Sequence, residues 1–173
     1  MAWWAKINER TLAQGDLLPD CLLPIFAEQP IPRADGEPAE SDVKQARLIV
    51  VSQTCDLQNA RVEFVALCPI HTLPEFEQAN PAITQKGRWE KVRKGAEPAL
   101  HLIASPDEPE NNRAALVIDF GHIVSVPFEY LTRHAESLGE RWRLESPYLE
   151  HFSQAFARFF MRVGLPSSIP PFK

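Results

Sequence analysis

The reading of the fold turns on one stretch, RLIVVSQTCDLQNARVEFVALCPI, residues 47–70. Two apolar, β-branched runs flank a polar elbow made of Ser52, Gln53, Thr54, Cys55 and Asp56. Branched side chains favour a pleated backbone, and a polar cluster between two such runs marks a turn. The pattern predicts that residues 48–51 and 62–67 pair as neighbouring antiparallel strands. The unbroken run before the elbow implies burial on both faces, whereas the partial alternation after it implies one wetter face and an end at Pro69. The elbow, polar residues following a buried strand, is expected to be partly buried and tied by side-chain-to-backbone hydrogen bonds.

Outward from this hairpin, LAQGDLLPDCLLPIF (12–26) is apolar but punctuated by Gly15, Pro19 and Pro24, and predicts a first strand with a break. Residues 27–46 are rich in Pro, Glu, Asp and Ala and predict a mobile acidic loop. Residues 75–95 turn helical and charged, divided by Pro81, and 99–105 predict another strand. AALVIDFGHIVSVPFEYL (114–131) predicts two strands meeting at a bend or bulge at Gly121. In SPYLEHFSQAFARFFMRVGLP, Leu149, Phe152, Phe156, Phe159, Phe160 and Val163 recur at helical spacing. They predict an amphipathic helix over 146–163, N-capped by Ser146, with Pro147 at its first position and Gly164 and Pro166 beyond its end.

The chain has 173 residues, enough for one domain with a core, and the expected organisation is a single domain over 1–173. Sixteen prolines argue for short elements and against a long-helix bundle. The formal charge of −5 excludes a uniformly basic nucleic-acid surface. No apolar run reaches the ~20 residues of a membrane span, and the opening MAWWAKINER has no signal-peptide pattern. Three cysteines at uneven spacing do not form a disulfide framework, so a reduced, cytoplasmic protein is expected. The elements sum to a mainly β, β-rich α+β fold.

Three phrases in this order resemble the MazF/PemK family of toxin endoribonucleases. They are GDL (15–17), the 47–70 stretch, similar to the family's Arg, apolar run, Ser, turn with Asn, apolar run and Pro-Ile-Thr, and 114–131. The resemblance covers about half the chain and implies an SH3-like barrel, with 74–105 as an inserted helical segment and the 146–163 helix packed on the barrel. It implies an endoribonuclease, a toxin–antitoxin or phage-defence effector, with RNA or an antitoxin-like protein as partner, a homodimer and no cofactor. The family's catalytic Arg corresponds to Arg47, its elbow Ser to Ser52, and its Thr after the second strand to His71 or Thr72. The SQTCDL elbow and the C-terminal helix are also similar to a set of uncharacterised bacterial proteins.

RNA cleavage of this kind needs a base for the 2′-hydroxyl and a cation for the phosphate, which His71 and Arg47 would supply. Cys55 is either a nucleophile activated by a neighbouring cation or a small buried hydrophobe. Asp56 is either its catalytic neighbour or a turn former. Cys55, Cys68 and His71 at C-x12-C-x2-H, with Cys21 or His101, lack the paired close ligands of zinc sites, so no metal is expected. KGRWEKVRK places Lys86, Arg88, Trp89, Lys91, Arg93 and Lys94 together as the strongest local nucleic-acid signal. Trp3 and Trp4 suit packing or a partner contact. A second reading is a non-catalytic SH3-like module that binds a protein partner or ligand through the Ser52–Asp56 elbow.

Overall fold

A computed structural model describes residues 2–25, 42–59 and 61–161. The hairpin that decides the fold is formed by β3 (Asp42–Val50) and β4 (Phe64–Thr72), which pair antiparallel with Leu48 opposite Pro69, Ile49 opposite Cys68 and Val50 opposite Leu67. On the outer side of β3 lies β2 (Leu17–Ile25), kinked by a bulge between Leu18 and Cys21 where the run is interrupted at Pro19. Of the loop expected over 27–46, residues 42–46 belong to β3, and 26–41 lie outside the described residues.

The other edge of β4 is shared by two short strands in succession. β7 (Val124–Pro127) pairs with its first half, Leu67 opposite Val124, and β6 (Leu116–Asp119) with its second half, Ile70 opposite Ile118. Five residues around Gly121 therefore oppose only Cys68 and Pro69, which is the bend expected in 114–131. β5 (Leu100–Ile103) adds to β6 and ends a six-stranded sheet in the order β2-β3-β4-β6-β5 with β7 beside β4. β1 (Trp4–Ile7) pairs with β8 (Arg141–Leu144) in a separate two-stranded sheet.

Among the described residues these sheets do not close into a barrel. Helix and strand each account for 34% of the described residues, so the architecture is a mixed α+β fold with mostly antiparallel sheets, more helical than expected. Much of the difference is α4 (Phe128–Leu138), whose first residues fall in the stretch read as strand. The elbow itself is a short helix, α1 (Thr54–Gln58), rather than a plain turn.

Side-chain alternation along β3 and β4 sends Ile49, Cys68 and Ile70 to one face and Leu48, Val50, Val65 and Leu67 to the other. The first face is closed by α5 (Tyr148–Phe160), with fully buried Phe152 against Phe120 and Trp4 in the same cluster. The expected docking of this helix is therefore present. Ser146 donates its hydroxyl to Glu150 instead of capping, and the positions from 162 onward lie outside the described residues. The second face is closed by Leu131 and Ala135 of α4 and by Leu57 of α1. A third, smaller cluster sits beneath α2 (Leu73–Ala79) and α3 (Arg88–Arg93), which with the 3-10 turn at Pro81–Thr84 cover Val117.

Candidate functional site

In an antiparallel hairpin, residues equally far from the turn become neighbours. Arg47 and His71 therefore both lie at the open end of the β3–β4 pair, one and two positions beyond Leu48–Pro69 respectively. Ser52 and α1 lie at the closed end. At ~3.3 Å per residue, five residues of strand put Ser52 about 16 Å from Arg47. The five residues expected to form one site are thus divided between the two ends of the hairpin.

At the closed end the polar side chains hold the backbone. The Ser52 hydroxyl accepts the Ala66 N–H at 2.9 Å and the Thr54 hydroxyl accepts that of Gln14 at 3.1 Å. The Gln14 amide donates to the Val51 carbonyl at 2.9 Å. Cys55 is exposed on the first turn of α1, and Asp56 is half-buried. The expected side-chain-to-backbone ties are present for Ser52 and Thr54. What the sequence does not reveal is that Thr54, together with Gln14, fastens the N-terminal segment to the hairpin.

At the open end Arg47 and His71 diverge. Arg47 follows the alternation of Ile49 and points to the face that carries Ile70. His71 is paired with Val117 and points to the other face, where its ring lies 5.9 Å from that of Phe76. Burial keeps the His71 pKa below its usual value; Asp119 and Glu75 oppose this, and Arg47 and His122 add to it. Arg47 meets Glu75 with Nη1 to Oε2 at 3.3 Å. Glu75 also closes a capping box at the start of α2, its carboxylate accepting the Thr72 N–H at 2.7 Å while the Thr72 hydroxyl accepts the Glu75 N–H. The Thr72 N–H is the chief cause that holds the Glu75 pKa below its usual value; burial opposes it, and the Thr72 hydroxyl and Arg47 add to it.

On the Arg47 face lies a half-open cleft of about 520 Å³. Its sheet wall comes from Leu17, Pro19, Arg47, Thr72 and Pro74, and its second wall from Glu140, Arg141 and Trp142. The loop after β5 supplies Ser105, Pro106, Asp107 and Glu108, with Arg113 beyond them. Ser105 is buried, and its hydroxyl accepts the N–H groups of Asp107 and Glu108, which shapes that loop. Arg113 is held bidentately by Glu77, at 3.1 and 3.0 Å.

The floor of the cleft rests on an ion network that sequence reasoning missed. Asp16 and the Arg141 side chain are both fully buried, with Arg141 Nε to Asp16 Oδ2 at 2.9 Å. Arg143 Nε donates to Asp16 Oδ1, and the Ala13 N–H to Oδ2 at 3.1 Å. The remaining nitrogens of Arg141 donate to the Glu9 and Thr11 carbonyls at 2.6 and 2.7 Å. Gly15, at φ +85°, lets the backbone pass within 2.9 Å of Leu149 Cδ1 at the position a Cβ would take. The signal was present as two arginines at strand spacing in RWRL (141–144) and as the Gly-Asp pair at 15–16.

The basic stretch forms α3 and is largely neutralised. Arg93 and Lys94 pair with Glu90, and Arg88 with Glu97. Trp89 is half-buried, packed on the third cluster, and its indole N–H donates to Glu77 at 2.9 Å, so its ring is not a free stacking platform. Lys86 and Lys91 are exposed without an ion pair among the described residues. Cys21 and Cys68 are buried on opposite faces of the sheet, and burial pushes both thiols up to about 12. Among the described residues no group of three or more His, Cys, Asp or Glu side chains is placed to hold a metal, and no helix is long and apolar enough to cross a membrane. No family model, curated protein or solved structure matches the chain.

Proposed function

We propose that the chain is a non-catalytic binding module and that its site is the cleft beside Arg47, not the Ser52–Asp56 elbow. The observation that carries this reading is a half-exposed guanidinium at a concave surface, with a single hydrogen bond to a surface carboxylate. An anionic group on a ligand or partner protein exchanges readily with Glu75, because such exposed pairs are worth only about 0–1 kcal/mol. At the elbow, by contrast, the Ser52 and Thr54 hydroxyls already serve the backbone. The test is a chemical-shift titration of the whole protein with succinate. Changes confined to the cleft and lost in Arg47→Gln support the reading, and an unperturbed cleft defeats it.

A divergent MazF/PemK-like endoribonuclease on an SH3-like scaffold is the second reading. It is favoured by Arg47 lying close enough to His71 to act on its proton affinity. Against it, the two side chains leave opposite faces of the sheet, whereas a base and a phosphate holder have to converge on one reacting atom. Incubation with labelled single-stranded RNA, together with induced expression in bacteria, decides the point. Cleavage and toxicity that vanish in both Arg47→Ala and His71→Ala would restore the ribonuclease reading.

A further inference from the structure

The cleft carries charges of both signs on different walls. Arg47 stands on the sheet wall, 35% exposed, and among the described residues only its Nη1 has a partner. A guanidinium offers five N–H donors in a fork that matches a carboxylate, so most of this fork is available to a ligand. Elsewhere in the cleft lining, among the described residues, the exposed carboxylate of Asp107 makes no ion pair and that of Glu140 has only Lys6 at 3.8 Å. Between these poles the walls are apolar and stiff, built from Leu17, Pro19, Pro74, Pro106 and Leu116. The volume of about 520 Å³ suits a small molecule rather than a folded domain. A purely anionic ligand drawn to Arg47 meets the carboxylates of Asp107, Glu108 and Glu140, and a purely cationic one meets Arg47 and Arg113. Both are disfavoured, since like charges brought close repel.

Resting on the binding-module reading above, we propose that the cleft takes a short zwitterionic peptide. Its terminal carboxylate lies on the Arg47 fork, its ammonium between Asp107 and Glu140, and its side chains against the proline walls and Trp142. A ligand of this kind brings a charge of each sign to its complement, the carboxylate to the half-exposed Arg47 and the ammonium to the exposed Asp107 and Glu140. Charge-assisted bonds of this type are the stronger kind, so blocking either end should weaken binding by at least about tenfold.

The experiment is an NMR titration of the full chain at pH 7 with trialanine, its C-terminal amide and its N-acetyl form. The expected result is that trialanine shifts the Arg47, Asp107 and Trp142 resonances and that each blocked form binds at least about tenfold more weakly. Arg47→Gln should bind trialanine no better than the amide, and Asp107→Asn should bind it no better than the N-acetyl form. Neither residue supports the fold through a buried contact, so both variants remain assayable. Equal binding of all three probes overturns the proposal, as does an Arg47→Gln protein that still favours the free acid. N-acetyl-trialanine binding as well as trialanine, with the amide weak, removes the zwitterion but leaves an anion-binding cleft. A cleft that responds to none of the probes and not to succinate removes both this proposal and the function on which it rests.

Discussion

Replacing Asp16 by alanine leaves the Arg141 guanidinium, which has no solvent exposure at all, without a counter-ion, and leaves Arg143 with Glu9 alone. Four N–H donors lose their acceptor: Ala13 N, Arg141 Nε, and Arg143 Nε and Nη2. Breaking a buried pair by deleting one partner destabilises by about 3–5 kcal/mol. With a urea dependence of roughly 2 kcal/mol per M, that moves the unfolding midpoint down by roughly 2 M. Tryptophan fluorescence suits the measurement, because Trp4 and Trp142 sit on the paired strands β1 and β8 beside the network. Adding Arg141→Met should recover part of the loss, since the stranded charge disappears with it. Recovery should stay incomplete, because the Glu9 and Thr11 carbonyls lose the donors that hold the N-terminal segment. A midpoint within about 0.5 M of wild type at unchanged slope would refute the reasoning, as would a double variant weaker than Asp16→Ala alone.

Acid should weaken the protein before its carboxylates titrate. Burial beside Phe120 and Phe152, aided by His151, pushes His101 from 6.5 down to about 4, so the unfolded chain takes up the proton first. Stability is whole above pH 6.5 and falls between there and about 4, by up to about 3 kcal/mol; His101→Leu should flatten that part of a pH–stability curve. His71, also lowered by burial, acts in the same direction. Of the three thiols, only Cys55 should react with a disulfide reagent in the native protein, because Cys21 and Cys68 are buried with pKa values near 12. Two or three thiols reacting before unfolding would contradict the packing. Phe152→Ala should cost about 3–5 kcal/mol and Glu150→Ala less than about 0.5, and comparable thermal midpoints for the two would mean that α5 does not dock through Phe152.

The central hairpin and the C-terminal helix were legible because each carries its own period: β-branched runs around a polar elbow, and phenylalanines three or four apart. The neighbouring placement of Arg47 and His71 follows from their similar distance to the turn. Their divergence follows from parity, Arg47 being in step with Ile49, and His71 out of step with Ile70. Counting positions along both strands would have separated them from the elbow and from each other. α4 was missed because its first residues were read with the preceding strand, although Phe128, Leu131, Ala135 and Leu138 fall at helical spacing and pack on the second face. α1 is below the length at which a helix holds by itself, and it packs Leu57 into the second face. The cleft and its ion network were unreadable for a different reason: their residues come from sites more than 100 positions apart, and no local pattern encodes such a meeting.

That last separation has a consequence for how the chain is made. The segment that contains Glu9, Thr11 and Asp16 is gripped by Arg141 and Arg143, and the strand at Trp4–Ile7 finds its ladder on β8. Synthesis delivers the N-terminal end first, so its carboxylate waits, hydrated and unpaired, until Arg141 and Arg143 have left the ribosome. β2, β3 and β4 have the means to assemble earlier, but the edge next to Asp16 stays open throughout that interval. Loop closure over such a span is slow relative to local pairing. The vulnerable species during biosynthesis is therefore a core with an unsealed N-terminal flank, and a nascent chain stopped before residue 141 stays in that state.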